Sequence, residues 1–366
     1  MRKINSLSLL ITLVISNFVF AQGPGTSAVP FLLIAPGARA GGMGESGVAL
    51  ATDATAIFWN PAGLAFQYED PEFDTIGEAS FMHTQWLPQF NFSDLFYDYF
   101  AMRYYLEEIG MVGVSFTWLN LGESIETDTD GQEVSKFNSQ EYAITLAYAT
   151  KLQENLGLGV NVKIIRSELA PEGVTVGTET TDGLATGFAL DFGVLWEPDY
   201  DVLERRLRLG ANLANFGPAI FYNDKAQSDP LPTILRLGAA YKIFDDEFNR
   251  IVATYETTRM LVRKEPGAKT ADDFITAVFY SSWAKGSLKD RLNSFTHAVG
   301  LEYWYGNLIA LRTGFFNEHK DFGNRKFITF GAGLTYDIFG FDFGYISDNE
   351  ESPLADTMRF SLSVKF

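Results

Sequence analysis

The chain of 366 residues carries 28 Lys+Arg against 46 Asp+Glu, a net charge of −18, and 0 Cys. That balance excludes nucleic acid as a partner, because phosphate binding needs a basic surface, and it leaves neither disulfides nor thiolate metal sites. Aromatic residues reach 15%, with 32 Phe and 16 Tyr, and Gly numbers 33, a composition that fits a transmembrane barrel.

Arg2 and Lys3, the mostly apolar stretch 7–20 and the end Phe18-Val19-Phe20-Ala21 predict a secretory signal peptide over residues 1–21. Ser8, Thr12, Ser16 and Asn17 break that stretch, and no later run of about twenty apolar residues occurs, so helical membrane spans are excluded. Residues 22–75 lack strand alternation. Ala38-Arg39-Ala40-Gly41-Gly42-Met43-Gly44 is followed, after Asp53-Ala54, by Asn60-Pro61-Ala62. Small residues let backbone pack closely on backbone, and Asn-Pro favours a turn. The block is predicted to lie in the barrel lumen as an N-terminal hatch, with a loose periplasmic extension as the alternative.

From residue 76 to 366 the chain alternates with a period of two. Val112, Val114, Phe116 and Trp118 share one face, and Tyr142, Ile144, Leu146 and Tyr148 repeat the pattern. Phe188, Leu190, Phe192, Val194 and Trp196 oppose Gly187, Ala189, Asp191 and Gly193. The last strand sets Phe360, Leu362, Val364 and Phe366 against Arg359, Ser361, Ser363 and Lys365. About fourteen such segments predict an all-β fold, a closed antiparallel transmembrane β-barrel with its apolar face toward lipid. A soluble sandwich is the alternative. The connections alternate in length, with long loops at 121–138, 167–183, 216–230 and 258–293 and brief turns between them. Long extracellular loops and short periplasmic turns are the asymmetry expected of an outer-membrane barrel. That phase places both termini in the periplasm.

Several loops carry candidate contacts. Phe90, Phe92, Leu95, Phe96 and Tyr97 cluster beside the first long loop. Asp128-Thr129-Asp130-Gly131 lacks the distal ligands of a calcium loop and reads as an acidic turn. Residues 258–293 hold Arg259, Arg263, Lys264, Lys269, Lys285, Lys289 and Arg291 together with Phe274, Phe279 and Trp283. This combination suits a partner contact or anionic lipopolysaccharide, or else a piece folded over its own barrel. Glu318-His319-Lys320 and Asn324-Arg325 form a charged loop on the predicted outer side, a candidate contact or a solvated rim. The three histidines (His83, His297 and His319) have no ligand spacing, so no metal, cofactor or catalytic site is predicted.

The blocks 28–36 and 38–44, Asn60-Pro61-Ala62, 165–169, 215–220, Glu302-Tyr303-Trp304-Tyr305 and 318–326 occur in an order that resembles the PorV/PorQ family of type IX secretion outer-membrane proteins, within the FadL-like superfamily. The resemblance implies a fourteen-stranded barrel with a hatch whose motif falls on Arg39, Gly41, Gly42, Gly44, Asn60, Pro61 and Ala62. It implies no catalysis. It also implies a role in binding the C-terminal signal domains of secreted proteins at a SprA/Sov-like translocon and delivering them to a PorU-like sortase. A FadL-like passive transporter of hydrophobic small molecules is the alternative function.

Overall fold

The computed structural model describes residues 27–67, 75–127, 130, 132–171, 174–176, 179–181, 183–200, 206–222, 228–264, 270–284, 287–349 and 352–366. The signal-peptide segment, and Asp128, Thr129 and Gly131 of the acidic turn, lie outside them. Alternation of apolar and small residues produces Gly77–Gln85 (β1), Phe96–Leu106 (β2), Gly110–Thr127 (β3), Glu133–Gln153 (β4) and Leu156–Glu168 (β5). A short hairpin, Val174–Val176 (β6) and Glu179–Thr181 (β7), follows within the loop predicted at 167–183. Then come Leu184–Trp196 (β8), Leu207–Phe216 (β9), Ile234–Asp245 (β10), Asn249–Met260 (β11) and Phe295–Tyr305 (β12). Ile309–Asn317 (β13), Lys326–Tyr336 (β14), Phe339–Ser347 (β15) and Met358–Lys365 (β16) complete the chain.

All but β6 and β7 join one closed antiparallel barrel of fourteen strands. Closure is made by β1 on β16, with Phe81 opposite Leu362 and His83 opposite Phe360. Closing the sheet removes both free edges, which a lipid environment does not tolerate. The period of two then sorts each strand. Leu301, Leu311, Phe360 and Leu362 are exposed on the outer wall, whereas Glu302, Arg312, Arg359 and Ser361 are buried inside. Among the described residues no helix is long and apolar enough to cross a membrane.

The first strand and the last residue meet on one rim, where the amide of Gly77 donates to the carbonyl of Phe366 at 2.8 Å. On that rim the chain turns tightly, as at 107–109, 154–155 and 306–308; the opposite rim carries the connections 86–95, 169–183, 217–233, 261–294 and 348–357. One expectation is corrected. Residues 121–138 are not a long loop, because β3 and β4 run on as a ladder from Gly122 opposite Ser139 to Thr127 opposite Glu133, past a bulge at Asn120/Gly122. These strands have 18 and 21 residues, about twice the 9–11 that span a bilayer. This part carries polar side chains on both faces, with Glu123 and Lys136 on one and Glu126 and Ser135 on the other, so the apolar alternation fades while pairing persists. Cross-strand polar contacts replace it: Lys136 to Glu123 at 2.8 Å and Ser135 to Glu126 at 2.7 Å.

The N-terminal segment has helical turns at Pro30–Leu33, Ala38–Gly41, Ala56–Trp59 and Pro61–Phe66. Its Phe31, Leu32, Ile57 and Leu64 share a core with the inward Tyr97, Tyr99, Met111 and Ile165. The turn Pro61–Phe66 lies against β3, β4, β5 and β8, and Ala38–Gly41 lies against β14, β15 and β16. The segment therefore crosses the interior between opposed arcs of the wall.

Candidate functional site

Two groups of residues fix that crossing. On one arc, the Arg39 guanidinium forks onto Glu302, Nε to Oε2 and Nη2 to Oε1 both at 2.8 Å, and its Nη1 donates to Thr52 at 2.7 Å and to Asp53 at 3.2 Å. Glu302 is 1% exposed and also accepts from Arg312 Nε at 2.7 Å, while Arg312 Nη1 reaches Asp342 at 2.6 Å. A buried carboxylate needs such pairing to remain charged. On the other arc, the Asn60 side chain donates to the carbonyls of Val48 at 3.0 Å and Val194 at 2.9 Å and accepts from the amide of Ala62 at 3.1 Å. One amide group thus caps the turn at Pro61 and ties it to β8.

Inward glycines make room for this backbone. A side chain at Gly159 would overlap Pro61, one at Gly193 the Asn60 side chain, and one at Gly314 the amide of Gly44. Gly42 would meet Gly331 Cα at 2.9 Å, and Gly41 would meet Arg359 Nη1 at 2.7 Å. Gly44 has φ 70 and would also strike the Phe315 amide at 2.8 Å, so both conformation and space demand glycine there. All seven motif residues therefore touch the inner wall, in two sets on separate arcs.

Between the segment and the loop-bearing rim lies a cavity of about 100 Å³. Its walls include Leu33, Trp59, Ile234, Met260, Phe316 and Phe322, with Glu45, Arg236, Glu256, Glu318 and Arg325 among them. The charged loop contributes directly. Glu318 is buried and accepts a fork from Arg325, Nε at 2.8 Å and Nη2 at 3.0 Å. Burial works against the Arg325 charge, but the hydrogen bond and charge of Glu318 outweigh it and raise its pKa. Lys320 and Asn324 stay exposed, and His319 lies 3.4 Å from Asp321.

The aromatic candidates divide. Phe92 is exposed beside Phe90, their rings 6.3 Å apart, whereas Phe96 packs edge-on against Trp118 at 5.2 Å. Phe274 sits 4.9 Å from Phe216 on the outer wall, and Phe279 is 71% exposed. Trp283 packs on the outer wall as well: its indole donates to the carbonyl of Val278 at 2.7 Å, and its ring lies 4.3 Å from the guanidinium of Arg259, which shares the outward face of β11 with Tyr255. The helix Leu288–Asn293 starts with a capping box between Ser287 and Asp290, and hydrogen bonds from Ser287 lower the Asp290 pKa. Phe92 and Phe96 lie by β1 and β2, while Phe274, Phe279 and Trp283 lie between β11 and β12, so they occupy different arcs.

Sequence reasoning quoted Glu302 only within a block that carries the family resemblance, and gave no site role to the interior charges Arg236, Glu256, Glu302 and Arg312. A signal exists, since each interrupts a strand on its small-residue face, as Glu302 does between Leu301 and Tyr303.

A closed fourteen-stranded wall, apolar outside and crossed inside by its own N-terminal segment, defines a transmembrane β-barrel, and its fold is FadL-like. The toluene transporter TbuX of Ralstonia pickettii superposes with a TM-score of 0.51 at 12% identity, over 90% of this chain and 98% of that one. A FadL homologue of Pseudomonas aeruginosa gives 0.50 at 12% identity, over 90% and 97%. The family described as Type IX secretion system protein PorV matches residues 21–267, and the chain belongs to that family. No curated protein matches the chain. It is thus an outer-membrane component of type IX secretion.

Proposed function

We propose that this barrel receives secreted proteins at its loop-bearing rim and hands them onward without chemical change, with the N-terminal segment as a hatch. Family membership carries the reading. The interior geometry supports it, because residues 28–66 cross the lumen and leave the long-loop rim as the working surface. The rim offers exposed Phe92, Phe279 and Tyr280 together with the 318–325 loop, a mix of aromatic and charged groups suited to protein contacts. In this reading the termini face the periplasm and the hatch comprises residues 22–75. The partners are a SprA/Sov-like translocon barrel, a PorU-like sortase and the C-terminal signal domains of secreted proteins. Phe279 and Lys289 are exposed, and in this reading they meet lipopolysaccharide.

Affinity purification of the chain from its native outer membrane tests this. Co-purification of a large translocon barrel and of proteins sharing a C-terminal domain is expected. Recovery of neither, with faster uptake of hydrophobic solutes into liposomes holding the pure protein, would replace the reading with passive transport.

A further inference from the structure

The mouth cavity holds an unused hydrogen-bonding capacity of one sign. Its three carboxylates are engaged: Glu318 by Arg325 at 2.8 Å, Glu45 by Arg359 at 2.6 Å, and Glu256 by the amides of Gly47 at 2.8 Å and Val48 at 2.9 Å. Arg236 is not matched in this way. It is 5% exposed, its Nη1 is buried without a partner, and its ion pair to Glu256 is 3.9 Å long, beyond hydrogen-bond reach. Its guanidinium lies over Phe58 at 4.7 Å and Trp59 at 5.5 Å, which fixes the plane of the fork. A buried guanidinium with free N–H groups is incomplete until an acceptor arrives, and a carboxylate matches its geometry best.

We propose that this cavity is a receptor for a single carboxylate on a short side chain, Asp or Glu, presented by a secreted protein at the outer mouth. The inference rests on the reading that the mouth receives such proteins. Size decides between this ligand and a lipid. At about 100 Å³ the cavity is well below the ~300–1,000 Å³ of pockets that enclose drug-sized ligands, so it admits a side chain and not an acyl tail. The net charge of −18 disfavours a long acidic stretch, which makes recognition a matter of one buried contact. The apolar lining of Trp59, Ile234, Met260 and Phe316 excludes water around that contact and strengthens it.

The test is calorimetric titration of the full chain in detergent with three probes: an acetylated, amidated pentapeptide with Glu at its centre, the same peptide with Gln, and octanoate. The Glu peptide is expected to bind about tenfold more tightly than the Gln peptide, the difference between a charge-assisted and a neutral hydrogen bond. Glu256→Gln removes the negative charge 3.9 Å from the guanidinium and should widen that ratio. Arg236→Lys keeps the charge but loses the fork and should narrow it, with heat-modifiability on gels showing that the barrel is intact. Equal binding of the two peptides, or a ratio untouched by Arg236→Lys, would overturn the proposal. So would binding of octanoate alone, which assigns the site to free acids. Native purification separates this failure from that of the parent reading. If wild-type and Arg236→Lys recover equal amounts of secreted proteins, the carboxylate contact is wrong and the capture role stands. If wild-type recovers none, the capture role itself falls.

Discussion

Replacing Arg39 with alanine should release the N-terminal segment from one wall of the barrel while the barrel persists. The change removes the fork onto Glu302, two bonds of 2.8 Å, and the contacts to Thr52 and Asp53. Breaking a buried ion pair costs roughly 3–5 kcal/mol. Two features reduce that figure here: the Arg39 side chain is 18% exposed, and Glu302 keeps its bond from Arg312 at 2.7 Å. A loss of about 2–3 kcal/mol remains, which corresponds to roughly a 30- to 150-fold rise in the local opening constant. Hydrogen exchange read by mass spectrometry measures this directly, comparing amides in residues 38–62 with those of β12 and β13 as an internal reference. Faster exchange confined to the segment is expected, with Arg39→Lys in between because it keeps the charge and loses the fork. Exchange in 38–62 within threefold of wild type would refute the latch, and parallel loosening of the strands would show that Arg39 supports the wall instead.

Gly314→Ala forces a methyl group against the amide of Gly44 and should displace the segment at a cost of about 1–3 kcal/mol. It should raise ion conductance in planar bilayers while the barrel still folds, and unchanged conductance would show that the segment does not close the pore. Glu318→Ala breaks the fork to Arg325, whose side chain is 37% exposed; screening limits the stability loss to about 1 kcal/mol. Partner recovery in a native pull-down should fall more than stability does, and equal recovery would remove residues 318–325 from the contact. Leu362→Arg puts a charge on the outer wall, where Leu362 is exposed; a cost of about 2–4 kcal/mol near the bilayer midplane should lower the yield of folded barrel in liposomes. The same substitution tolerated without loss would place this position in water.

Most of the barrel was legible in the sequence because lipid outside and packed protein inside impose a strict two-residue period. Phe360, Leu362, Arg359 and Ser361 were each assigned to the face they occupy. The reading lapsed where that pattern ends: past Asn120 the β3–β4 ladder carries polar residues on both faces and looks like a polar loop. The inward glycines were visible only as small residues. Gly159 beside Pro61 and Gly314 beside Gly44 take their meaning from a backbone more than 90 residues away.

The sequence by itself thus determined the strands, their outward faces, the count of staves and, through its motifs, the family. Alternation is a local property, and each strand states its own face. Tertiary structure alone decided what the interior charges do. Arg39 meets Glu302 across 263 positions of chain and Glu45 meets Arg359 across 314. Arg236 and Glu256 lie on the neighbouring strands β10 and β11, whose register leaves 3.9 Å between the guanidinium and the carboxylate. Pairing between distant charges depends on where the closed wall brings them, and no periodicity along the chain encodes it.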